Sequence, residues 1–364
     1  MENGAQGFSF PSRLTLLRRR MEELGLVSMV VAAPANRRYL SGFTGDDGFL
    51  FVDERRLILF TDFRFREQAR LEAPAWELRI VERRLLPEFA AWLKEEGGER
   101  IGLEAEHWTL AAYETLTRNV PAGRLVPIRG VVEQLRAVKD EEELAFIAAA
   151  AAINDRVWTR FLPLLRPGVS ERDLAVELEY LLRREGAEGM AFPSIVASGP
   201  RGALPHATPG EKRLAAGEMV VVDFGAVWRG YASDMTRTVA LGRVGEEERT
   251  VYGLVLAAQE RALEAIRAGA VARAVDAVAR NHIKEGGYGE AFGHGLGHAV
   301  GLEVHEEPRL SPTSEGEIRS GMVFTVEPGV YLPGRFGVRI EDLVVVTEDG
   351  YRNLTKSPKE LLVL

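Results

Sequence analysis

The chain of 364 residues contains no cysteine. That absence excludes disulfide bonds, zinc sites built on thiolates and a cysteine nucleophile. Any metal ion must therefore be held by histidine and carboxylate side chains. Histidine is scarce as well, with 6 copies in the whole sequence, so a place where it concentrates is a strong candidate for a site.

Long hydrophobic runs are also missing. The apolar run at 144–153 is short, whereas a membrane-spanning helix needs about 20 apolar residues. The N-terminal segment lacks the apolar core of a signal peptide. We therefore expect a cytoplasmic protein that does not enter a membrane.

Massed positive charge is absent too. The formal net charge is −8, from 46 basic and 54 acidic residues, and the basic residues are scattered along the chain. A nucleic-acid surface needs basic residues clustered on one face, so nucleic acid is not an expected partner. A hydrophobic content of 46% is typical of a folded globular protein, and the length favours two domains.

The first part of the chain predicts a layered α/β domain. A helix is expected at 12–25, where apolar residues recur at helical spacing. Strands are expected at 27–32, 48–52 and 56–60, the last two joined by a short turn. Further strands and helices alternate after them, as in α/β layers. Catalytic residue types do not cluster in this half.

The pattern changes at 136–140, where an acidic segment leads into the alanine-rich run. We place the domain boundary there, which gives domains at 1–136 and 137–364. The alanine-rich run predicts a helix that opens the second domain. Ser170 predicts the N-terminal cap of another helix at 171–185.

Three of the histidines lie in the segment GHGLGHAVGLEVHE at 293–306. His294 and His298 would share one face of a helix, but the interspersed glycines make a regular helix costly. We predict a bent strand or loop, in which the backbone can approach a ligand closely. A ligand site is favoured here over three unrelated histidines.

Four apolar strand segments each contain a carboxylate. The segments are 219–225, 234–241, 322–331 and 337–346, and the acids are Asp223, Asp234, Glu327 and Glu341. The first two segments predict an antiparallel hairpin that sets Asp223 beside Asp234. Alternation along the last strand directs Glu341 away from its neighbour Asp342.

Each acid alone has an ordinary interpretation as a strand-end residue or an ion-pair partner. Four of them together would repel one another and take up protons unless cations neutralise them. Two divalent metal ions balance four negative charges. An oxygen-rich ligand set with one histidine favours Mn²⁺ over Zn²⁺, and a pair of metal ions is a standard hydrolytic arrangement.

The order of these acids and His298, in the contexts VVDFG, SDMTRT, GHGLGH, TVEPG and RIED, resembles the pita-bread metallopeptidases, above all prolidase and aminopeptidase P. The phrase NRRYLSGFTG at 36–45 resembles the RNase-H-like N-terminal domain of that branch and of creatinase. The resemblance implies a creatinase-like α/β domain followed by a pita-bread α+β catalytic domain. Methionine aminopeptidases usually lack the first domain, and creatinase lacks the metal set.

The resemblance implies two divalent metal ions per chain, with Mn²⁺ expected and Co²⁺, Fe²⁺ or Zn²⁺ as alternatives. Asp223 and Asp234 would hold one ion and His298 and Glu327 the other. Asp234 and Glu341 would bridge them. Glu327 would also take the proton from the water that the two ions activate.

Three further histidines receive catalytic roles from the resemblance. His305 would contact the scissile carbonyl or the oxyanion formed from it, and His206 would face the substrate from a loop. His294 resembles the extra active-site histidine of the proline-specific members. The ordinary alternatives are support of His298 by His294 and a loop histidine at 206.

Substrate contacts are implied for five residues. They are Phe192, Val304 and Tyr331 as the wall for the proline ring, Arg309 for the carboxylate of a dipeptide, and Arg339, which would orient a metal-ligating carboxylate. Core packing is the alternative for the first three. A surface pair with a neighbouring glutamate, Glu306 or Glu307, is the alternative for Arg309.

The implied activity is hydrolysis of the Xaa-Pro bond in dipeptides or short peptides by a hydroxide held between the metal ions. A dipeptidase is favoured over an aminopeptidase P, and a homodimer is expected because short members of this branch commonly are dimers. Two alternatives stay open. One is a pita-bread aminopeptidase without proline specificity, and the other is a non-enzymatic pita-bread protein that binds a partner.

Overall fold

The computed structural model describes residues 10–364. The chain divides into two compact units, the first ending at Arg136 and the second spanning Ala137–Leu364. Each unit has its own buried apolar core. Within the described range, every helix is too short or too polar to cross a membrane.

The first unit is an α/β layer on a mixed sheet. Its strands are β1 (Ser28–Val31), β2 (Phe49–Asp53), β3 (Leu57–Asp62), β4 (Glu77–Val81), β5 (Ile101–Glu104) and β6 (Leu125–Ile128). Its helices are α1 (Phe10–Glu23), α2 (Pro34–Ser41), α3 (Arg66–Glu72), α4 (Leu85–Glu96), α5 (Leu110–Thr117) and α6 (Val131–Arg136). The strand order is β4-β3-β2-β1-β5-β6. Strand β2 is antiparallel to both neighbours and the other pairs are parallel.

The predicted helix at 12–25 and the first three predicted strands correspond to α1, β1, β2 and β3. Helix α2 is not among the predicted elements, because polar residues on it are buried. Asn36 donates to Glu104 at 2.6 Å, and Arg37 donates to the carbonyl oxygens of Gly45 and Asp46 at 2.9 Å. Such buried polar contacts interrupt the apolar periodicity by which a helix is recognised in a sequence.

The second unit holds the predicted site. Its helices are α7 (Glu141–Phe161), α8 (Glu171–Arg184), α9 (Glu246–Glu264) and α10 (Ala272–Glu285). Its strands are β7 (Gly189–Met190), β8 (Ile195–Ser198), β9 (Met219–Phe224), β10 (Ala226–Trp228), β11 (Tyr231–Ala232), β12 (Met235–Ala240), β13 (Gly297–Ala299), β14 (Glu306–Leu310), β15 (Val323–Val326), β16 (Gly329–Leu332), β17 (Phe336–Arg339), β18 (Asp342–Val346) and β19 (Tyr351–Asn353).

Two sheets of this unit carry the site. One has the order β12-β9-β8 and the other the order β14-β13-β15-β18-β19. Their neighbouring strands are antiparallel. The unit has two further sheets, β11-β10-β7 and β16-β17.

The two predicted helices at the start of this unit are present, and both are capped. Asp140 accepts from the backbone N–H of Glu143, whose side chain accepts from the N–H of Asp140. Ser170 accepts from the N–H of Asp173. These bonds satisfy donors that a helix start leaves unpaired, so both helices begin where the sequence places them.

The predicted hairpin at 219–241 is right in its pairing and wrong in its connection. Strands β9 and β12 pair antiparallel, with Thr236 opposite Asp223. Their link is not a simple turn, because it forms β10 and β11, which join another sheet.

The segment 337–346 is not one continuous strand, as the sequence suggested. It breaks between β17 and β18, which belong to different sheets. At the break, the N–H of Glu341 donates to the carbonyl of Thr236 in β12. The segment 322–331 breaks in the same way at Glu327 and Pro328, since proline has no N–H to donate to a ladder.

Helix α8 gives a direct test of the apolar core of the second unit. Leu178 is fully buried, whereas Val176 on the same helix is 63% exposed. Leu178→Ala should lower the free energy of unfolding of the second unit by about 2–5 kcal/mol, because it removes buried methyl groups and leaves a cavity. Val176→Ala should change it by less than about 0.5 kcal/mol. Denaturant titration of both variants checks this, and equal effects would contradict the assigned faces of α8.

Candidate metal centre

The four predicted carboxylates converge at strand ends. Asp223 lies near the end of β9, Asp234 directly precedes β12, Glu327 follows β15 and Glu341 lies between β17 and β18. Asp223, Asp234 and Glu341 are buried, and Glu327 is half-buried. These positions bring the four carboxylates to one cavity.

All four carboxylates line one cavity of about 600 Å³. The lining also includes every histidine that the sequence analysis assigned to the site. Its other members are Phe192, Pro193, Ser194, Ile195, Pro205, Ala207, Thr208, Pro209, Gly295, Gly297, Arg309, Ser311 and Arg339.

The segment 293–306 bends as predicted. Strand β13 covers three of its residues, and the register of β13 with β14 shifts between His298 and Ala299. The bulge directs the His298 ring into the cavity, where its Nε2 lies 3.3 Å from Glu327 Oε1 and 3.8 Å from Asp234 Oδ2. Bulges of this kind commonly re-aim a side chain beside a site.

Three of these side chains already have the geometry of a metal site. Ligand atoms of Asp234, His298 and Glu341 all lie within 4.8 Å of one another, and all three residues are buried. Asp223 and Glu327 adjoin this group in the same cavity. The arrangement can hold divalent cations on one imidazole and several carboxylates.

Three buried carboxylate oxygens in this cavity lack hydrogen-bond donors. Within residues 10–364, no donor reaches Asp223 Oδ1, Asp234 Oδ1 or Glu341 Oε1. A buried oxygen of a charged group without a partner is costly. The donor set therefore fits bound cations, which would satisfy these oxygens.

The electrostatics of the cavity lead to the same conclusion. Burial, together with the charges of Glu341 and Asp223, raises the pKa of Asp234 well above its usual value. Burial and the charges of Glu327 and Asp223 likewise raise the pKa of Glu341. Burial also raises the pKa of Asp223, although Arg339 opposes this effect. Without a cation, these acids therefore bind protons more tightly than usual.

Glu327 differs from the other three acids. Burial alone would raise its pKa, but the hydrogen bond and charge of His298 outweigh burial and lower the pKa to about 2. For His298, burial lowers the pKa, but the hydrogen bond and charge of Glu327 raise it by more. The pKa of His298 is therefore above its usual value. The carboxylate of Glu327 is therefore ionised at neutral pH.

Two buried threonines orient the glutamates. Thr236 Oγ1 donates to Glu341 Oε2 at 2.7 Å, and Thr325 Oγ1 donates to Glu327 Oε1 at 3.1 Å. Thr325 also accepts from the N–H of His298 at 3.0 Å. The sequence analysis missed both residues. Strand alternation would have found Thr325, because it lies two positions before Glu327 and so shares its face.

Arg339 is the fixed cation of the cavity. Its guanidinium is buried and donates to Asp223 at 2.5 Å, to Tyr331 Oη at 2.9 Å, to Thr236 Oγ1 at 3.0 Å and to the carbonyl of Pro205 at 3.2 Å. These partners are all protein groups. Arg339 therefore orients Asp223, as the resemblance implied, and a contact of Arg339 with substrate stays a prediction.

The remaining histidines lie at different depths. His305 and His206 are exposed at the cavity, and the His305 ring lies 4.4 Å from that of His298. His294 is half-buried, with Nδ1 2.8 Å from the carbonyl oxygen of Gly295 and Nε2 2.9 Å from Tyr331 Oη. The structure thus brings all four histidines to one cavity.

The predicted wall for a proline ring is only partly present. Phe192 lines the cavity, whereas Val304 and Tyr331 are not part of its lining. Tyr331 is buried, and its hydroxyl group contacts His294 and Arg339. Tyr331 therefore supports His294 and Arg339 from behind the lining.

Arg309 lies on the cavity lining in β14, opposite His298 across the ladder. Its Nε donates to Glu307 Oε1 at 3.2 Å, and both side chains are largely exposed. The predicted alternative, a surface pair with Glu306 or Glu307, is therefore present with Glu307, whereas Glu306 is buried and binds Lys139.

Two known protein families match this chain. Residues 145–348 match metallopeptidase family M24, and residues 13–138 match the creatinase/prolidase N-terminal domain. The first match covers more than half of the chain. This agrees with a metal-dependent site in the second unit.

Similar proteins extend over nearly the whole chain. The Xaa-Pro dipeptidase of Pyrococcus furiosus is 39% identical over 351 residues, which are 96% of this chain and 99% of the relative. The solved structure of an Xaa-Pro dipeptidase from Bacillus anthracis has a TM-score of 0.95 and 40% identity, covering 98% of this chain and 100% of that one. An X-Pro aminopeptidase from Thermotoga maritima MSB8 has a TM-score of 0.87 and 39% identity, covering 95% and 100%.

These similarities confirm the predicted fold, a creatinase-like α/β domain followed by a pita-bread domain. They also agree with the ligand motifs from which the resemblance was drawn. The chain belongs to metallopeptidase family M24.

Proposed function

We propose that this protein is a dinuclear metallopeptidase that hydrolyses the Xaa-Pro bond at the N-terminus of dipeptides and short peptides. The observation that carries the proposal is the set of buried carboxylate oxygens for which the described part of the chain supplies no donor. These oxygens face one cavity together with His298. The names of the relatives support proline specificity, because they are Xaa-Pro dipeptidases and an X-Pro aminopeptidase.

Five side chains are assigned to two divalent ions. Asp223 and Asp234 would hold one ion, His298 and Glu327 would hold the other, and Asp234 and Glu341 would be shared by both. When bound, such ions polarise a carbonyl group and make water a nucleophile at neutral pH. The oxygen-rich set favours Mn²⁺, with Co²⁺, Fe²⁺ or Zn²⁺ as alternatives.

The chain's own residues handle the proton and the developing charge. Glu327 takes up the proton that the attacking water releases, and Thr325 holds its carboxylate in place. His305 and His206 stand at the open side of the cavity. There they donate hydrogen bonds to the carbonyl oxygen as negative charge develops on it.

The chemistry of proline explains why such a site suits this bond. The nitrogen of an Xaa-Pro amide carries no hydrogen, so a protease that binds an extended backbone loses a hydrogen bond there. A site that binds the amino terminus and the carbonyl oxygen does not depend on that hydrogen. Phe192 supplies the apolar wall for the ring, together with Pro193 and Ile195 in the same lining.

Arg309 is assigned to the carboxylate of a dipeptide. Its pair with Glu307 is exposed, and exposed ion pairs contribute little stability. The guanidinium can therefore exchange Glu307 for a substrate carboxylate, to which it makes two parallel hydrogen bonds. We favour a dipeptidase for this reason, and we also propose that the protein is a homodimer.

An aminopeptidase P is the second candidate. The specific observation in its favour is that Arg309 already has a partner in Glu307. If that pair persists with substrate bound, the site accepts longer peptides as well as dipeptides.

Asp234→Asn should abolish hydrolysis, because it removes the charge of a carboxylate assigned to both metal ions. The variant should retain less than about a tenth of the wild-type kcat/KM. In the metal-free state it should melt no lower than the wild type, since one source of repulsion among buried acids is gone. Mn²⁺ should raise its Tm less than it raises that of the wild type.

The measurements are metal content, kcat/KM on an Xaa-Pro dipeptide and thermal melting with and without Mn²⁺. Wild-type protein treated with a chelator and then reloaded is the control, and it should lose and regain activity. A wild-type protein that binds no metal and hydrolyses no peptide would overturn the proposed function.

The two neighbouring histidines should differ in effect. His298→Ala should lose bound metal together with activity, because His298 is assigned as a ligand. His305→Ala should keep its metal and lose mainly kcat, because its contact forms in the transition state. Elemental analysis and steady-state kinetics separate the two, and equal metal content and equal rates in both variants would contradict the division of roles.

Arg309→Ala separates the dipeptidase from the aminopeptidase. With a dipeptidase, kcat/KM should fall for Xaa-Pro and hold or rise for Xaa-Pro-Yaa, because only the dipeptide places a carboxylate directly after proline. The loss corresponds to a charged hydrogen bond, about 1.5–3 kcal/mol. Glu307→Gln is the matched control, since it frees Arg309 and should maintain or raise dipeptide turnover. A uniform change on both substrates would favour the aminopeptidase.

A further inference from the structure

A buried ion pair lies directly behind His305. Lys139 Nζ donates to Glu306 Oε2 at 3.0 Å, and the side chains are 1% and 5% exposed. Glu306 is the residue after His305 and the first residue of β14. None of the roles assigned above uses this pair.

The carboxylate of Glu306 closes the bend between His298 and His305. Its Oε1 accepts from the N–H of Glu303 at 3.3 Å. The N–H of Gly301 in turn donates to the carbonyl of Glu303 at 3.0 Å. Across the sheet, Glu306 is paired with Ala299, directly after the bulge at His298. The bend is therefore held at Glu303 by the side chain of Glu306 and at Ala299 by its backbone.

Gly301 provides the space for this carboxylate. A Cβ atom at position 301 would lie 2.6 Å from both carboxylate oxygens of Glu306, which is closer than van der Waals contact allows. The backbone of Gly301 is also held from the other side, where its carbonyl accepts from the N–H of Ala232 at 2.8 Å. The close approach is thus specific to glycine at this position.

Lys139 fixes the other end of the pair. Its backbone N–H donates to the carbonyl of Gly321 at 3.0 Å, ahead of β15. Asp140, the next residue, caps α7. The ammonium group is therefore presented from a rigid position, and the segment 302–305 that it helps to hold is partly exposed.

We propose that Lys139 and Glu306 are positioning residues that hold His305 at the cavity. The pair sets the distance of the His305 ring from the reacting carbonyl without contacting substrate itself. Small misplacements of a catalytic group lower rates strongly. The kinetic side of this inference rests on the proposed peptidase function, whereas the structural side does not.

The double variant Lys139→Met/Glu306→Leu tests the proposal. Replacing both members of a buried ion pair with apolar residues of similar volume commonly leaves stability unchanged or higher. We therefore expect a folded protein with wild-type metal content. Its kcat should fall by about tenfold to a hundredfold with KM little changed.

A second comparison separates positioning from a general structural effect. In a His305→Ala background, the double variant should cause no further fall in kcat, because the pair acts through His305. Arg156→Met is the control: it breaks an ion pair with Glu185 outside the cavity and should leave kcat unchanged. Equal losses of kcat with and without His305, or a double variant with wild-type kcat, would overturn the proposal.

Amide hydrogen exchange gives a readout that does not depend on activity. The segment 301–305 should exchange faster in the double variant, while β9 should be unchanged. Gly301→Ala, which displaces the carboxylate and retains both charges, should produce the same local increase and a fall in kcat. Unchanged exchange in both variants overturns the positioning role. If exchange is faster in both variants but the wild type hydrolyses no Xaa-Pro peptide, the proposed function is refuted and the positioning role is not.

Discussion

Mutual repulsion among the four carboxylates of the cavity is the constraint on which the second unit depends. Burial removes the water that would screen these charges, and burial is the largest contribution to the raised pKa of Asp223, Asp234 and Glu341. Against them the cavity sets one buried guanidinium, that of Arg339, whereas the guanidinium of Arg309 at the wall is exposed and paired with Glu307. One buried guanidinium does not balance four acids, so the cavity favours the binding of cations.

The surrounding structure makes this repulsion tolerable by fixing each acid from outside the cavity. Arg339 binds Asp223, Thr236 binds Glu341, and Thr325 links Glu327 to the backbone of His298. Each of these contacts uses one oxygen of its carboxylate. For Asp223 and Glu341, the other oxygen is left directed at the cavity. Orientation is thus set by the protein before any ligand arrives, which lowers the cost of ordering the site.

The sequence predicted the carboxylates of the cavity better than the elements that carry them. Asp223, Asp234, Glu327 and Glu341 could be found because a charge within an apolar strand needs a partner. The breaks of strands at Glu327 and Glu341 could not be found, because the N–H groups there bond to distant parts of the chain, Leu296 for Glu327 and Thr236 of β12 for Glu341. Tyr331 was misplaced for a similar reason, since its aromatic character indicated a wall and its hydroxyl contacts decide its location. Helix α2 escaped prediction because buried polar groups on it are satisfied by residues far along the chain.

Placing ligands at strand ends has a consequence for how this unit can change during evolution. Side chains along a strand alternate between its two faces, so inserting or deleting one residue reverses the direction of every side chain beyond that point. In β9 or β15, such a change would turn Asp223 or Glu327 away from the cavity even though every residue type is retained. Relatives should therefore accumulate length changes in the loops, whereas the strand segments before the ligands should vary by substitution alone.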